Sequence, residues 1–400
     1  MADRVTVIGW DGSPPSEPAR AALSAATLVA GTRRHLALPY VPEDAERIVL
    51  GSIEIAARRI AGHRGTAVVL ADGDPGFFGV VRALRAPEHG LEVEVVPGVS
   101  AVAQAFARAG MPWDDARVVV AHSRTLRRAV NVCRAHPKVA VLTSPGAGPA
   151  ELALLLTGVH RTFVICEALG TEQEQVTVLT SDKVADHIWR DPNVVLVVGG
   201  MTSSAPGVAG RGGWIAGRDP GFPGPVRGWA LPPSEYGGHL PAQMRAFQLA
   251  RLGPRTGDLV WDIGAADGAV AVEAAGFGAA VIAVDRDADA CDWITATARR
   301  VGVPLQVVHG TAPQALEDLP EPDVVRIGCP DAEVTAACAA RRPERIVTAV
   351  ATRDEAEAIS RALTEGGYEV ERALLQSVEL DTDWTERERS VTFALCGTRR

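Results

Sequence analysis

The chain has 400 residues, too many for one ordinary hydrophobic core, so two or three domains are expected. Its 47 % apolar and 22 % charged composition is that of a folded globular protein, and a net charge of −9 excludes one that wraps nucleic acid, which needs a concentrated basic surface. Six scattered cysteines (Cys133, Cys166, Cys291, Cys329, Cys338 and Cys396) include no C-x-x-C pair, which argues for buried reduced thiols and against a disulfide framework or a metal site. Met1–Val5 runs straight into a strand-like segment and no apolar run is long enough to span a bilayer, so a cytoplasmic protein without a membrane partner is expected.

In chain order, short β-type runs alternate with helical stretches. Val5–Ile8 precedes an alanine-rich helix expected over Ala19–Leu28, and Ala67–Leu70 precedes one over Gly79–Leu84. Val118–Ala121 leads to a helix over Leu126–Ala135, and Val139–Leu142 to one over Pro149–Leu156; strands return at Thr162–Cys166 and Val194–Val198. This alternation implies mixed or parallel sheets covered by helices, with the turn Pro112-Trp113-Asp114-Asp115 dividing the half into two lobes. Dense Gly and Pro between Gly199 and Pro233 cannot continue a helix or a central strand. A connector is expected over 201–234, packed down by Trp214 and Trp229. Beyond it, Leu259–Ile263, Ala279–Val284, Leu305–Val308, Asp323–Ile327 and Arg345–Val350 read as buried strands, with helices over Ala288–Val301 and Arg353–Glu365. A closing antiparallel hairpin over Val370–Leu380 and Arg389–Cys396 completes one doubly wound α/β domain.

Three Gly/Pro turns follow β-type runs in the first half: Gly9-Trp10-Asp11-Gly12, Gly73-Asp74-Pro75-Gly76-Phe77-Phe78-Gly79 and Pro97-Gly98-Val99-Ser100-Ala101. They fall at one end of one sheet, where open α/β folds bind ligands. Such loops offer backbone amides and carbonyls to a polar cofactor without side-chain obstruction. Each alone is an ordinary turn; the three together point to a cofactor cleft. In the second half, Asp262-Ile263-Gly264-Ala265-Ala266-Asp267-Gly268 ends a strand and opens a helix, and Asp285 ends the next strand. A nucleotide-like cofactor needs that close backbone approach, and a carboxylate so placed can accept both ribose hydroxyls. The competing reading is a plain α/β domain in which Gly264 and Gly268 serve a tight turn.

The three loops of the first half, together with Val118–Arg124, Leu142–Pro149 and Cys166–Gly170, resemble the tetrapyrrole methylase family over roughly residues 3–200. In the second half, Asp262–Gly268, Asp285, Val308–Leu316 and Pro322–Gly328 resemble the decarboxylating methyltransferase domain of corrin synthesis. The resemblance implies an α/β chain: a two-lobed tetrapyrrole methylase domain over 1–200, then a doubly wound Rossmann-like class I methyltransferase domain over 235–400. It implies S-adenosyl-L-methionine as cofactor, held in the first domain by Gly9, Asp11, Gly12, Gly73, Asp74, Pro75, Ser100 and Ala101. In the second, Asp262, Gly264 and Gly268 would line the methionine end, Asp285 the ribose, and Gly310 and Thr311 the adenine side. The activity implied is methylation of a corrin precursor, precorrin-6Y, in cobalamin biosynthesis: at C-5 by the first domain, and at C-15 with decarboxylation of an acetate side chain by the second. A homo-oligomer is implied as well.

The chain departs from the family pattern at Ala266, which stands at the middle glycine of the turn, at Pro241-Ala242-Gln243-Met244 ahead of the second domain, and at Cys329-Pro330-Asp331. These departures keep open an alternative in which only the first domain turns over and the second is a non-catalytic partner. A nicotinamide-dependent oxidoreductase in the second half is a further alternative, although no Tyr-x-x-x-Lys pair is present. Methyl transfer from a sulfonium needs position and a dry cleft rather than a triad. Asp72, Asp74 and His122 are the candidate catalytic groups, each with a competing structural duty in its loop. Arg124, Arg127 and Arg134, with Arg128, recur at helical spacings and could pair with the substrate's carboxylates; the competing reading is a solvated helical face.

Overall fold

The computed structural model describes residues 4–77, 79–156, 158–199, 232–237 and 240–400, and within them the apolar runs gather into three sheets. Most of the expected connector, with Trp214 and Trp229, lies outside the described residues.

The first sheet contains β1 (Val5–Trp10), β2 (Leu28–Gly31), β3 (Glu46–Val49), β4 (Ala67–Asp72) and β5 (Val93–Val96), all parallel, in the order β3-β2-β4-β1-β5. A parallel sheet must be covered on both faces. Successive β1 residues divide accordingly: Val5 and Val7 pack with Ala56, Ala57 and Ile60, whereas Ile8 packs with Ala19 and Leu23 on the other side. The connection leaving β1 runs to β2 and that leaving β4 runs to β5, in opposite directions across the sheet. That divergence opens a crevice at the strands' carboxyl ends. The helix expected over Ala19–Leu28 is shorter, Glu17–Ser24, and Leu28 already opens β2. Every residue of Leu28–Gly31 is buried, so burial between β3 and β4 overrides the helical preference of the alanines before it.

The second sheet holds β6 (Arg117–Val120), β7 (Lys138–Leu142), β8 (Thr162–Glu167), β9 (Gln175–Thr180) and β10 (Asn193–Val198), in the order β6-β7-β10-β8-β9. Only β6 and β7 are parallel neighbours, but β8 runs in the same direction because β10 opposes both β7 and β8. The loops after β6, β7 and β8 therefore share one edge. The turn at 112–115 separates this sheet from the first.

The third sheet comprises β11 (Leu259–Ile263), β12 (Ala280–Asp285), β13 (Gln306–His309), β14 (Val324–Ile327), β15 (Arg345–Val350), β16 (Tyr368–Leu380) and β17 (Glu386–Arg399). Its order is β13-β12-β11-β14-β15-β17-β16, parallel except for the closing hairpin of β16 and β17. Leu259, Trp261 and Ile263 enter one core and Val260 the other, the alternation that a strand buried on both faces imposes. All six cysteines are free; five are buried, but Cys329 is exposed because it lies in the loop just past β14. No helix among the described residues is long and apolar enough to cross a membrane.

The helix Leu126–Ala135 packs against β12. Arg127 forms an ion pair with Asp323, and Asn131 Nδ2 donates to Gly257 O at 3.1 Å and to Asp323 Oδ2 at 3.3 Å. Asp323 Oδ2 also accepts from Leu259 N at 2.8 Å. Both arginines expected to meet substrate carboxylates along this helix have structural partners within the chain. The charge of Arg127 is answered by Asp323, and Arg134 is buried with Nη2 donating to Leu155 O at 2.6 Å. Arg124, just ahead of the helix, and Arg127 and Arg128 on it are exposed, whereas Ala129, Val130, Val132 and Cys133 enter the core of the second sheet and Ala135 that of the third.

Candidate active sites

The loops after β1, β4 and β5 meet backbone to backbone. A Cβ on Gly9 would collide with Gly73 O and lie 2.5 Å from Gly98 N, so the strand ends approach this closely only because glycine stands there. Gly73 N donates to Trp10 O at 2.7 Å, and Ser100 caps the helix Ala101–Ala109 by accepting from Ala103 N at 3.1 Å. Asp11 accepts from Ser13 N at 3.0 Å, from Ser13 Oγ and from Val99 N at 3.0 Å, tying the first loop to the third. Burial pushes its carboxyl up, but the bonds from Ser13 and Val99 together outweigh that and hold it below its ordinary range.

The second lobe closes on this edge. Gly12 and Gly170 both adopt left-handed backbone, and a Cβ on Gly12 would collide with Gly170 O. Glu174 accepts from Gly170 N at 2.8 Å and forms an ion pair with Arg108 on the helix Ala101–Ala109, bracing the contact from both lobes. Sequence reading found Gly12 and the Cys166–Gly170 segment but not that they touch.

The candidate catalytic groups have structural partners. Asp72 accepts from Arg34 and from His35 Nε2 at 2.9 Å. Burial raises its carboxyl, and the His35 hydrogen bond with the charges of His35 and Arg34 more than reverses that, leaving an ionised carboxylate and a weak base. Asp74 braces its own loop by accepting from Gly76 N at 2.8 Å. His122 Nδ1 accepts from Arg124 N at 3.3 Å in the loop after β6, at the edge shared with the loops after β7 and β8. Pro75 follows Asp74 in the same turn.

In the third sheet, Gly264 and Gly268 adopt left-handed backbone, and so does Ala266, at φ +53°. Asp285, at the end of β12, accepts from Ala266 N at 2.8 Å and from Asp287 N at 3.0 Å, so the carboxylate that ends one strand shapes the turn that ends its neighbour. Asp262 is fully buried, and its Oδ1 accepts from Arg326 Nη1 at 2.9 Å; the same nitrogen donates to Gly264 O at 3.1 Å. Burial pushes the Asp262 carboxyl up against the pull of Arg326. Gly310 N donates to Asp285 O at 2.8 Å, and Thr311 O accepts from Ala315 N at 2.9 Å to start the next turn.

Beside this turn lies a cavity of about 410 Å³ lined by Gly237, Ala266, Asp267, Asp287, Asp289 and Trp293. Trp293 is held over it by its Nε1, which donates to Tyr236 O at 2.9 Å. Asp287, Asp289 and Trp293 escaped sequence reading, although the run Asp285-Arg286-Asp287-Ala288-Asp289 carried the signal. None of Asp262, Gly264, Gly268, Asp285, Gly310 and Thr311 lines the cavity; from the turn itself, Ala266 and Asp267 do.

Two loop clusters, each at the carboxyl ends of parallel strands, define a chain of two α/β folds in tandem, each with a candidate cofactor cleft. The family model described as Tetrapyrrole (Corrin/Porphyrin) Methylases matches residues 7–185, and that described as Precorrin methyltransferase domain matches residues 237–391. The chain is 33 % identical over 337 residues to a precorrin-6Y C(5,15)-methyltransferase [decarboxylating] of Sinorhizobium sp, covering 80 % of this chain and 76 % of the relative. Its first half is 37 % identical to the cobalt-precorrin-7 C(5)-methyltransferase of Salmonella typhimurium, over 43 % of this chain and 88 % of the relative. A probable cobalt-precorrin-6B C(15)-methyltransferase (decarboxylating) of Pyrobaculum calidifontis is 36 % identical over 32 % of this chain and 71 % of its own length. The chain belongs to the precorrin-6Y C(5,15)-methyltransferase (decarboxylating) family and is a methyltransferase. The match over 237–391 sets aside the oxidoreductase reading of the second half.

Proposed function

We propose that the chain methylates a corrin precursor, precorrin-6Y, at C-5 in the cleft between the first two sheets. At the third sheet it methylates C-15 and decarboxylates an acetate side chain. The observation that carries this reading is the pair of separate cofactor-type clefts in one chain, each built where parallel strands end. When bound, S-adenosyl-L-methionine supplies an electrophilic methyl group on a sulfonium. The residues present fit such a group. Asp267, Asp287 and Asp289 give the third-sheet cavity acceptors for ribose hydroxyls and an ammonium, and Trp293 gives it a flat apolar wall. In the first cleft, Gly9, Asp11, Gly12, Gly73, Asp74, Pro75, Ser100 and Ala101 offer backbone groups on a rigid, mutually braced frame, which fixes the line of attack. Arg124, exposed beside His122, is placed to receive a substrate carboxylate. The reading includes a cytoplasmic setting and a homo-oligomer.

The test is product mass after incubation with S-adenosyl-L-methionine and reduced precorrin-6. Two added methyl groups with one carboxylate lost is the expected result. One added methyl with the carboxylate retained would assign turnover to the first domain alone, the outcome that strain at Ala266 and the Arg326 contacts to Asp262 and Gly264 would explain. No methyl gain at all would defeat the reading.

A further inference from the structure

The two domains enclose a second cavity, of about 360 Å³, within the range of small-molecule sites. Leu259 opens β11, Ala280 opens β12 and Gln306 opens β13, and all three line it. It therefore lies at the edge of the third sheet opposite Gly264 and Asp285, away from the candidate cofactor site. The first domain closes it with Arg134 and with Gly158–Arg161.

Its lining is divided by chemistry. Val159, Ile282, Leu305 and Val307 make apolar walls, while Arg134, His160, Arg161 and Arg299 supply the ionisable groups. No aspartate or glutamate lines the cavity among the described residues. Arg161 is 6 % exposed and directs Nε, Nη1 and Nη2 to the carbonyls of Cys133, His160 and Arg134. Carbonyls satisfy hydrogens but bring no compensating negative charge, and a guanidinium has five N–H groups, so two remain. Burial first, and then the charge of Arg161, pushes the Arg134 guanidinium down; burial pushes Arg161 down as well. A buried guanidinium answered by carbonyls alone, as that of Arg161 is, is unfavourable unless an anion joins it.

We propose that this interdomain cavity binds a small amphipathic carboxylate, its head among Arg134, Arg161 and Arg299 and its apolar body against Val159, Ile282 and Val307. The carboxylate can be a free acid or a side chain of the tetrapyrrole.

The test is calorimetric titration of the full chain with octanoate, with octanol as the uncharged control. Expected is one octanoate site per chain, with octanol about tenfold weaker or more, the loss that a charged hydrogen-bond partner carries. Arg299→Glu, on the exposed face of the helix Ala288–Val301, weakens octanoate by a similar factor, and Val307→Trp, which fills the cavity, removes it. Displacement of octanoate by uroporphyrin identifies a tetrapyrrole side chain as the source; octanoate bound undisturbed beside uroporphyrin identifies a free acid. Absence of octanoate binding, or binding undiminished in both variants, overturns the proposal.

Discussion

Ala266 is exposed, so its methyl group buries little, yet it sits at φ +53°, where a Cβ costs an L residue roughly 1–2 kcal/mol. Ala266→Gly removes that strain and returns part of the gain as freedom in the unfolded chain. A net stabilisation of about 1 kcal/mol is expected, read as a raised urea midpoint; a lowered midpoint would show that the methyl group packs usefully. Arg326 is the opposite case, a side chain that the fold cannot lose alone. Arg326→Met leaves the Asp262 carboxylate buried without its cation and should cost roughly 3–5 kcal/mol. Asp262→Asn combined with Arg326→Met should recover much of that loss. A double variant as unstable as the single one would mean that Arg326 acts through packing.

At the level of elements, Asp72 joins the end of β4 to the helix Arg33–Leu36 through Arg34 and His35. Its carboxyl lies below the ordinary value of 3.8 in the fold, so its contribution is complete above that value and fades as pH falls through the folded one. The stability gap between the unaltered chain and Asp72→Asn should be constant near pH 5 and narrow below about pH 4. A gap that persists unchanged to about pH 3 would contradict the assignment. Much of this level was legible in the sequence. The helices Leu126–Ala135, Ala288–Val301 and Arg353–Glu365 carry apolar residues at helical spacing, and the last is fixed by Thr352 and Glu355 bonding reciprocally at its start. The short strands β2 and β3 were not legible, because four-residue runs beside alanines carry no period. Within the sites, Asp285 could be found because a strand-end acid belongs to its own βαβ unit. The pairing of Arg326 with Asp262, and the contact of Gly12 with Gly170, join residues far apart in the chain, and no local pattern announces them.

For the whole molecule, Asp323 ties the two domains at one point of their contact, accepting from Arg127, Asn131 and Leu259 N. Asp323→Ala leaves the Leu259 amide without that acceptor and should cost about 1–3 kcal/mol. Hydrogen exchange should rise along the helix Leu126–Ala135; unchanged exchange there would show that the contact does not hold the domains together. The central claim is that one chain carries two separate cofactor clefts, one between the first two sheets and one on the third. The measurement that tests it most directly is the stoichiometry of S-adenosylhomocysteine binding to the full chain. Two molecules per chain are predicted, falling to one in Gly170→Val, which forces Asp11 and Gly12 away from the second lobe. One molecule or none on the unaltered chain would contradict the account.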